Sequence, residues 1–542
     1  MMARLGEERA LRSRAMRLFV PLCRRLGVGI LIAAVWPAAA GAQDLTEVVR
    51  ARDVPVLRLS VRAAPTDAEI ARIKGHIAGL ANIDRPDMGL SSTYGGSSFA
   101  PLSQTLNAGV VILGAPRPET SGDVVELVKL GPKALPFLLE ALDDATPTKL
   151  VLGHSLGAGA MGFGGVFRSN EISGNPANTA EFAIVGVGGP GYLRGERGFN
   201  HPVKDGLHAV TVGDVCFVII GQITGRPSYR VARYQPSAIT IINSPTDDPE
   251  LVKQVRAVWA GGDPSQRLLD SLLLDFSTTV ELPQDATREL RGQAQTAWFL
   301  PTGAAMRLLY YFPDEAGGLV ARRLAQARDA GGERFWGMNY PELLKAVAWS
   351  EQPAVRAEVT NVLRETDDPK VFLLCLPAAE RERDNDLVVE RMLALLDALP
   401  PEPDELAEGP YGDGYRLVRA AGERLGAAAK PVYLRFMEQP SLRRRIAMCS
   451  AVHVRPEWAV ELLAPLLDDT REERQWYAVE EGKDSLRLAI RVCDDAARTI
   501  SLSRPDLPFV LRGTHAELDR QIAVMKERIS REGGTTSVSS EE

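Results

Sequence analysis

Apolar residues recur at helical spacing along most of the chain. After Pro65-Thr66-Asp67, the residues Ile70, Ile73, Ile77 and Leu80 share one stripe, and Thr66 with Glu69 has capping-box spacing, so a packing helix is predicted there. His76 lies beside the stripe and reads as a partly buried structural histidine. The stretch DVVELVKLGPKALPFLLEALDD from Asp123 predicts an apolar helix, a break at Gly131-Pro132 and a second amphipathic helix ending at Asp143-Asp144. Glycine stops the first helix, and proline is tolerated in the first turn of the second. After Pro249 the pattern is almost wholly helical, through LLDSLLLDF, PELLKAVAWS and NDLVVERMLALLDAL. Leu518, Ile522, Met525 and Ile529 mark a last helix, opened by a Thr514 and Glu517 capping box, that caps the stack. The polar tail at 533–542 is expected to be disordered.

One region breaks this pattern. Residues 153–198 hold 13 glycines in 46 positions, against 48 in the 542 residues of the whole chain, a density that disfavours helix. A loop-rich insertion is expected, with short strands at 149–152 and 239–242 and helices resuming at Asp214 and Pro249. Long loops are often functional, which makes this the first place to look for a site.

The helical units repeat. Leu425, Gly426, Ala429, Pro431, Val432, Leu434 and Met437 reproduce Leu130, Gly131, Ala134, Pro136, Phe137, Leu139 and Leu142 at a constant offset of 295. PEWAVELLAPLLDD from Pro456 is a third version, ending at Asp468-Asp469 as the first ends at Asp143-Asp144. PAVRAEVTNVLRETDDPKVFLLCLPA from Pro353 is a fourth, with an Asp-rich turn between its helices. These units resemble HEAT repeats of the armadillo-type α-solenoid family, and the chain is similar to exported bacterial HEAT-repeat proteins. The resemblance covers about half of the mature chain and implies stacked helix pairs, none of which closes its own core. The expected fold is therefore mainly α, an irregular HEAT-like solenoid with a glycine-rich, loop-rich insertion containing a few short strands. Its parts would be a signal peptide at 1–42, a helical region at 43–148, the insertion at 149–245, a helical solenoid at 246–532 and the tail. Leu139 and Leu434, equivalent in two units, are both expected to face the core, with Glu140 on the opposite face.

Residues 1–42 carry seven arginines against two acids, followed by an apolar run at 26–39 and Ala40-Gly41-Ala42. A basic start, an apolar stretch too short to span a bilayer and an A-x-A site predict a cleaved secretory signal peptide. Its removal would leave 56 basic and 68 acidic residues, a net charge of −12, which opposes nucleic-acid binding. The one dense basic cluster, Arg443-Arg444-Arg445, reads as a solvated helix face. Cys216, Cys375, Cys449 and Cys493 lie far apart in apolar surroundings without metal spacing, so buried free thiols are expected.

Candidate chemistry is sparse. Gly153-His154-Ser155-Leu156-Gly157 fits the G-x-S-x-G nucleophile elbow and resembles that of lipases and other α/β-hydrolases. Four glycines in residues 158–165 argue against the helix that must follow such an elbow. An Asp and a His would have to complete the triad, with Asp205, Asp214 or Asp494 and His208, His453 or His515 as nominal candidates. GVGGPG at 186–191 has its glycines at G-x-G-x-x-G spacing but lacks the GK[ST] ending of a phosphate loop. Asp143-Asp144 and Asp468-Asp469 lack the spaced ligands of a calcium loop and read as turn and cap residues. No cofactor or metal is expected. The sequence therefore suggests an exported, non-enzymatic α-solenoid in the periplasm or cell envelope, presenting its surface to a protein or envelope partner. The alternative is a serine hydrolase using Ser155.

Overall fold

Helix dominates the computed structural model, and its residues 45–60, 64–85, 99–102, 121–153, 166–168, 175, 177–178, 201–202, 206–226, 228–235, 238–241, 243–287, 290–291, 294, 297–329, 340–382, 384–399, 412–439, 441–481 and 484–535 are described. The proposed leader lies outside them, as do Ser155 and most of the glycine-rich stretch.

A single turn at Leu45–Val48 leads into strand β1 (Val49–Ala51). Helix α1 (Asp67–Gly79) has the expected capping box: the Glu69 amide donates to Thr66 Oγ1 at 3.3 Å, and the Thr66 amide to Glu69 Oε2 at 2.9 Å. Helix α2 (Gly122–Leu130) stops at Gly131, whose φ of 54° and ψ of −122° only glycine adopts readily. A short 3₁₀ turn and helix α3 (Leu135–Glu140) follow. Strand β2 (Pro147–Gly153) then pairs antiparallel with β5 (Leu207–Thr211); between them in sequence lie β3 (Val166–Arg168) and β4 (His201–Pro202). Helix α4 (Val212–Thr224) is buried along its whole length, as its sequence VGDVCFVIIGQIT, apolar on every face, requires. Strands β6 (Ala232–Gln235) and β7 (Ala238–Ile241) join the two insertion strands in a sheet of order β4-β3-β7-β6, with β3 parallel to β7. The strands expected at 149–152 and 239–242 are thus present, within a residue or two.

Helices α5 (Pro249–Trp259) and α6 (Pro264–Phe276) each open on an Asp N-cap followed by proline. Strand β8 (Thr278–Val280) pairs with β1. The helical run continues through α7 (Leu300–Tyr311), α8 (Pro313–Asp329), α9 (Tyr340–Val347), α10 (Pro353–Glu365), α11 (Pro369–Glu382), α12 (Asn385–Ala398), α13 (Gly412–Arg424), α14 (Lys430–Met437), α15 (Leu442–Ala451) and α16 (Ala459–Leu463). Along this run helices pack on near neighbours, α8 against α10, α10 against α11, α13 against α15. One hydrophobic cluster extends from Ile73 to Met525 and includes α4.

Three readings change. Beyond α16 and the 3₁₀ turn that extends it to Asp468 the chain is not helical: β9 (Glu472–Glu481) and β10 (Asp484–Arg491) form an antiparallel hairpin before α17 (Val492–Ser503). Its strands are rich in charged residues, which mask the period-two alternation of Leu486, Leu488 and Ile490. The last helix, α18 (His515–Thr535), runs through Gly533 and Gly534, three residues into the predicted tail. The basic cluster is not a solvated face: Arg444 is buried, and Arg445 Nη1 lies 2.7 Å from Asp469 Oδ2.

The repeat register also holds in part. Leu139 is 4% exposed but Leu434 is 44% exposed. Helix α5 packs on α3, where Arg256 donates from Nε to the Leu139 carbonyl at 2.8 Å and pairs with Asp143 at 2.7 Å. In α14 the core face falls instead on Val432, Tyr433 and Phe436. Leu139→Ala should therefore cost about 2–5 kcal/mol, whereas Leu434→Ala and Glu140→Ala should each stay within about 0.5 kcal/mol. Denaturant midpoints of the three variants check this, and equal losses for Leu139→Ala and Leu434→Ala would refute it.

Candidate functional site: the hairpin roots and a buried ion pair

The first hairpin grows from the turn after α3. There the Asp144 Oδ1 accepts the Thr146 amide at 2.9 Å, the Asp144 carbonyl accepts the Gly213 amide at 3.0 Å and the Thr146 carbonyl accepts the Val212 amide at 2.9 Å. These bonds tie both feet of the hairpin to the start of α4. Thr211 is the N-cap of α4, and Asp214, at its third position, completes a capping box. Asp214 is fully buried: Oδ2 accepts the Thr211 amide at 3.1 Å and lies 3.2 Å from His208 Nε2, and Oδ1 accepts Ser244 Oγ at 2.7 Å. Because side chains alternate along β5, His208 points inward with Val210, and it is 7% exposed.

Of the nominal triad residues, the structure thus brings His208 and Asp214 together. Ser155, His154 and Asp205 lie outside the described residues. Strand β2 ends at Gly153, which pairs with Leu207, next to His208. His453 is exposed in a 3₁₀ turn. His515 donates from Nε2 to the Ala489 carbonyl at 2.8 Å when that nitrogen is protonated. Asp494 is taken by a different partner, Arg491, through Nε at 3.0 Å and Nη2 at 2.8 Å.

Beneath the second hairpin, Asp469 is held by Arg471 (2.7 Å) and Arg445 (2.7 Å). Hydrogen bonds from Arg471, then Arg445, hold its carboxyl down at about 2 despite burial. A carboxyl depressed in the folded state contributes stability that is complete above its unfolded pKa, ~3.9, and is lost as pH falls through its folded one. The contribution of Asp469 should therefore persist to about pH 4 and vanish toward about pH 2. Carbon-detected titration checks this; Arg471→Ala should move the Asp469 midpoint upward, and an unmoved midpoint would contradict the assignment. Next to Asp494, burial pushes the Asp495 carboxyl up, and the Cys493 thiol is pushed up to about 12 by the same cause, which disfavours the thiolate. Among the described residues, Cys216, Cys375, Cys449 and Cys493 are buried free thiols.

A second polar group sits deeper. Arg226, two residues past the end of α4, donates through Nη1 to Asp275 Oδ2 on α6 and through Nη2 to Ser271 Oγ at 2.6 Å; both ends of the ion pair are buried. Asn175, from the glycine-rich insertion, donates to Asp275 Oδ1 at 2.7 Å and Thr278 Oγ1 at 3.0 Å. The Arg226 guanidinium lies 5.7 Å from the Trp259 ring, whose indole donates to Tyr229 at 3.3 Å. Arg307 is also buried, donates from Nε to the Gln222 carbonyl at 2.6 Å, and is lowered to about 10 by desolvation. Sequence reading missed Arg226, Asp275, Arg307, Arg491 and Ser244, since the partners of the buried pair are 49 residues apart. Arg491, three residues before Asp494, had a local signal in its spacing.

Among the described residues no group of three or more His, Cys, Asp or Glu side chains could hold a metal ion, and no helix is long and apolar enough to cross a membrane. Comparison with protein-family models, with curated proteins and with solved structures finds no match to this chain.

Proposed function

We propose that the protein is an exported, non-enzymatic scaffold built of HEAT-like helical units, which presents its surface to a protein or cell-envelope partner. The observation that carries this reading is the doubled hairpin root. Asp214 and Asp494 occupy the same position of two helices and accept the same backbone amide, yet one is completed by a histidine and the other by an arginine. A catalytic carboxylate depends on the identity of its partner; a structural one needs only a donor. N-terminal sequencing of the protein recovered from the cell envelope tests export: Gln43 as first residue is expected, and a chain retaining Arg24 and Arg25 would overturn it.

One observation favours the hydrolase reading. The strand leading to Ser155 is paired with the strand that carries His208, and His208 already has its aspartate. In that reading Nε2 is the oriented nitrogen and Nδ1 the base. The readings part on His208→Leu, which would abolish ester hydrolysis in the hydrolase and would leave only a background rate, equal to that of the parent protein, in the scaffold.

A further inference from the structure

We infer that the two β-hairpins are insertions at one and the same point of a repeated helix–turn–helix unit, and that Asp214 and Asp494 are latches that hold each hairpin by its root. The inference deepens the scaffold reading and rests on it for its purpose, though its geometry stands independently.

Four Asp-Asp turns share one local bond. The second aspartate accepts, through Oδ1, the backbone amide two residues on: Asp144 from Thr146 at 2.9 Å, Asp248 from Glu250 at 3.1 Å, Asp368 from Lys370 at 2.8 Å and Asp469 from Arg471 at 3.2 Å. At Asp248 and Asp368 the chain passes straight into a helix, α5 and α11. At the other two a hairpin intervenes, and its return is fixed identically. Gly213 and Cys493 donate to the carbonyls of Asp144 and Asp469, at 3.0 and 2.9 Å. Val212 and Val492 donate to those of Thr146 and Arg471, at 2.9 and 3.0 Å.

A third-position carboxylate that accepts the N-cap amide also occurs where no hairpin precedes, as the unburied Glu69 of α1 and Glu517 of α18; among the helices that these turns lead into, a buried one follows the hairpin. Helices α4 and α17 carry Asp214 and Asp494 at the third position, each accepting the N-cap amide, at 3.1 and 3.0 Å. Helix α11, which no hairpin precedes, has Val371 at that position. A strand arriving at a helix N-terminus leaves its last amide without a ladder partner, and a carboxylate one turn into the helix meets that need while favouring the positive end of the helix. What completes the carboxylate differs. In the first unit His208 reaches it from three residues before the N-cap; in the second the N-cap residue, Arg491, folds back on it, and Leu488 stands where His208 would be. The two solutions should be exchangeable, because the backbone frame is the same. The first hairpin, in this view, is the second with 154–206 in place of the residues 482 and 483 that join β9 to β10.

Amide hydrogen exchange on the full chain tests this, and it reads the latch whether or not the protein has an activity, so its failure is separable from failure of the scaffold reading. His208→Leu should speed exchange of the β5 amides roughly tenfold or more relative to the α10 amides, the loss of one hydrogen bond to a buried carboxylate. Thr211→Arg added to His208→Leu should return the β5 amides to within about threefold of the parent. Should His208→Leu fail to fold, the reciprocal pair decides: Arg491→Thr should speed the β10 amides, and Leu488→His should restore them. Unchanged exchange in the single variants, or no recovery in both doubles, would overturn the proposal.

Discussion

Asp275→Ala is expected to lower the unfolding free energy by about 3–5 kcal/mol. Removing the carboxylate leaves the Arg226 guanidinium in a site it reaches with no appreciable exposure, and takes away one of the two acceptors of the Asn175 amide. A buried charge deprived of its counter-charge bears its full desolvation cost, whereas the intact pair roughly offsets that cost. The double variant Arg226→Met, Asp275→Leu should accordingly recover most of the loss, as apolar side chains of similar size fill the space beside Trp259. A urea titration of the parent, single and double variants measures both quantities. A loss under about 0.5 kcal/mol for Asp275→Ala would mean that the pair is solvated.

Gly131→Ala should be about as damaging, for two reasons that add. The residue sits at φ 54° and ψ −122°, where a β-carbon costs about 1–3 kcal/mol. That carbon would also fall inside the ring of Tyr311, which is buried and donates its hydroxyl to the Val128 carbonyl at 2.6 Å, so the ring cannot swing away without breaking a bond; such overpacking costs about 1–3 kcal/mol. Gly426, its repeat equivalent, shares the positive φ of 58° but has open space, with Arg455 Nη2 at 3.9 Å from an added carbon. Gly426→Ala should lose only the backbone contribution, about 1–2 kcal/mol. Thermal unfolding of the two variants side by side checks the contrast, and equal losses would show that Tyr311 yields.

This pair also shows how far the sequence could be read. Both glycines follow from a helix break at fixed spacing, and the left-handed backbone confirms the break in each unit. The capping box of α1, the break at Gly131 and the Asp-Asp turns are local, so a few neighbouring residues specify them. Leu434 went astray because its burial depends on which helix lies across from it: α3 has α5 against it, and the face of α14 that bears Leu434 is left open. The second hairpin went unread because its strands are dense in charge, and charge at helical spacing looks like an exposed helix face. The Arg226–Asp275 pair has no local signature at all, since it joins elements that meet only in the folded chain. His208 and Asp214 were legible as nominal partners; what could not be read was that a second root repeats the arrangement with an arginine.

The scaffold account turns on the absence of a nucleophile at Ser155, and intact-mass measurement after treatment with a fluorophosphonate probe tests that most directly. An unshifted mass is expected for the parent protein and for Ser155→Ala alike. One probe adduct per chain, lost in Ser155→Ala and in His208→Leu while both variants remain folded, would contradict it and establish the hydrolase.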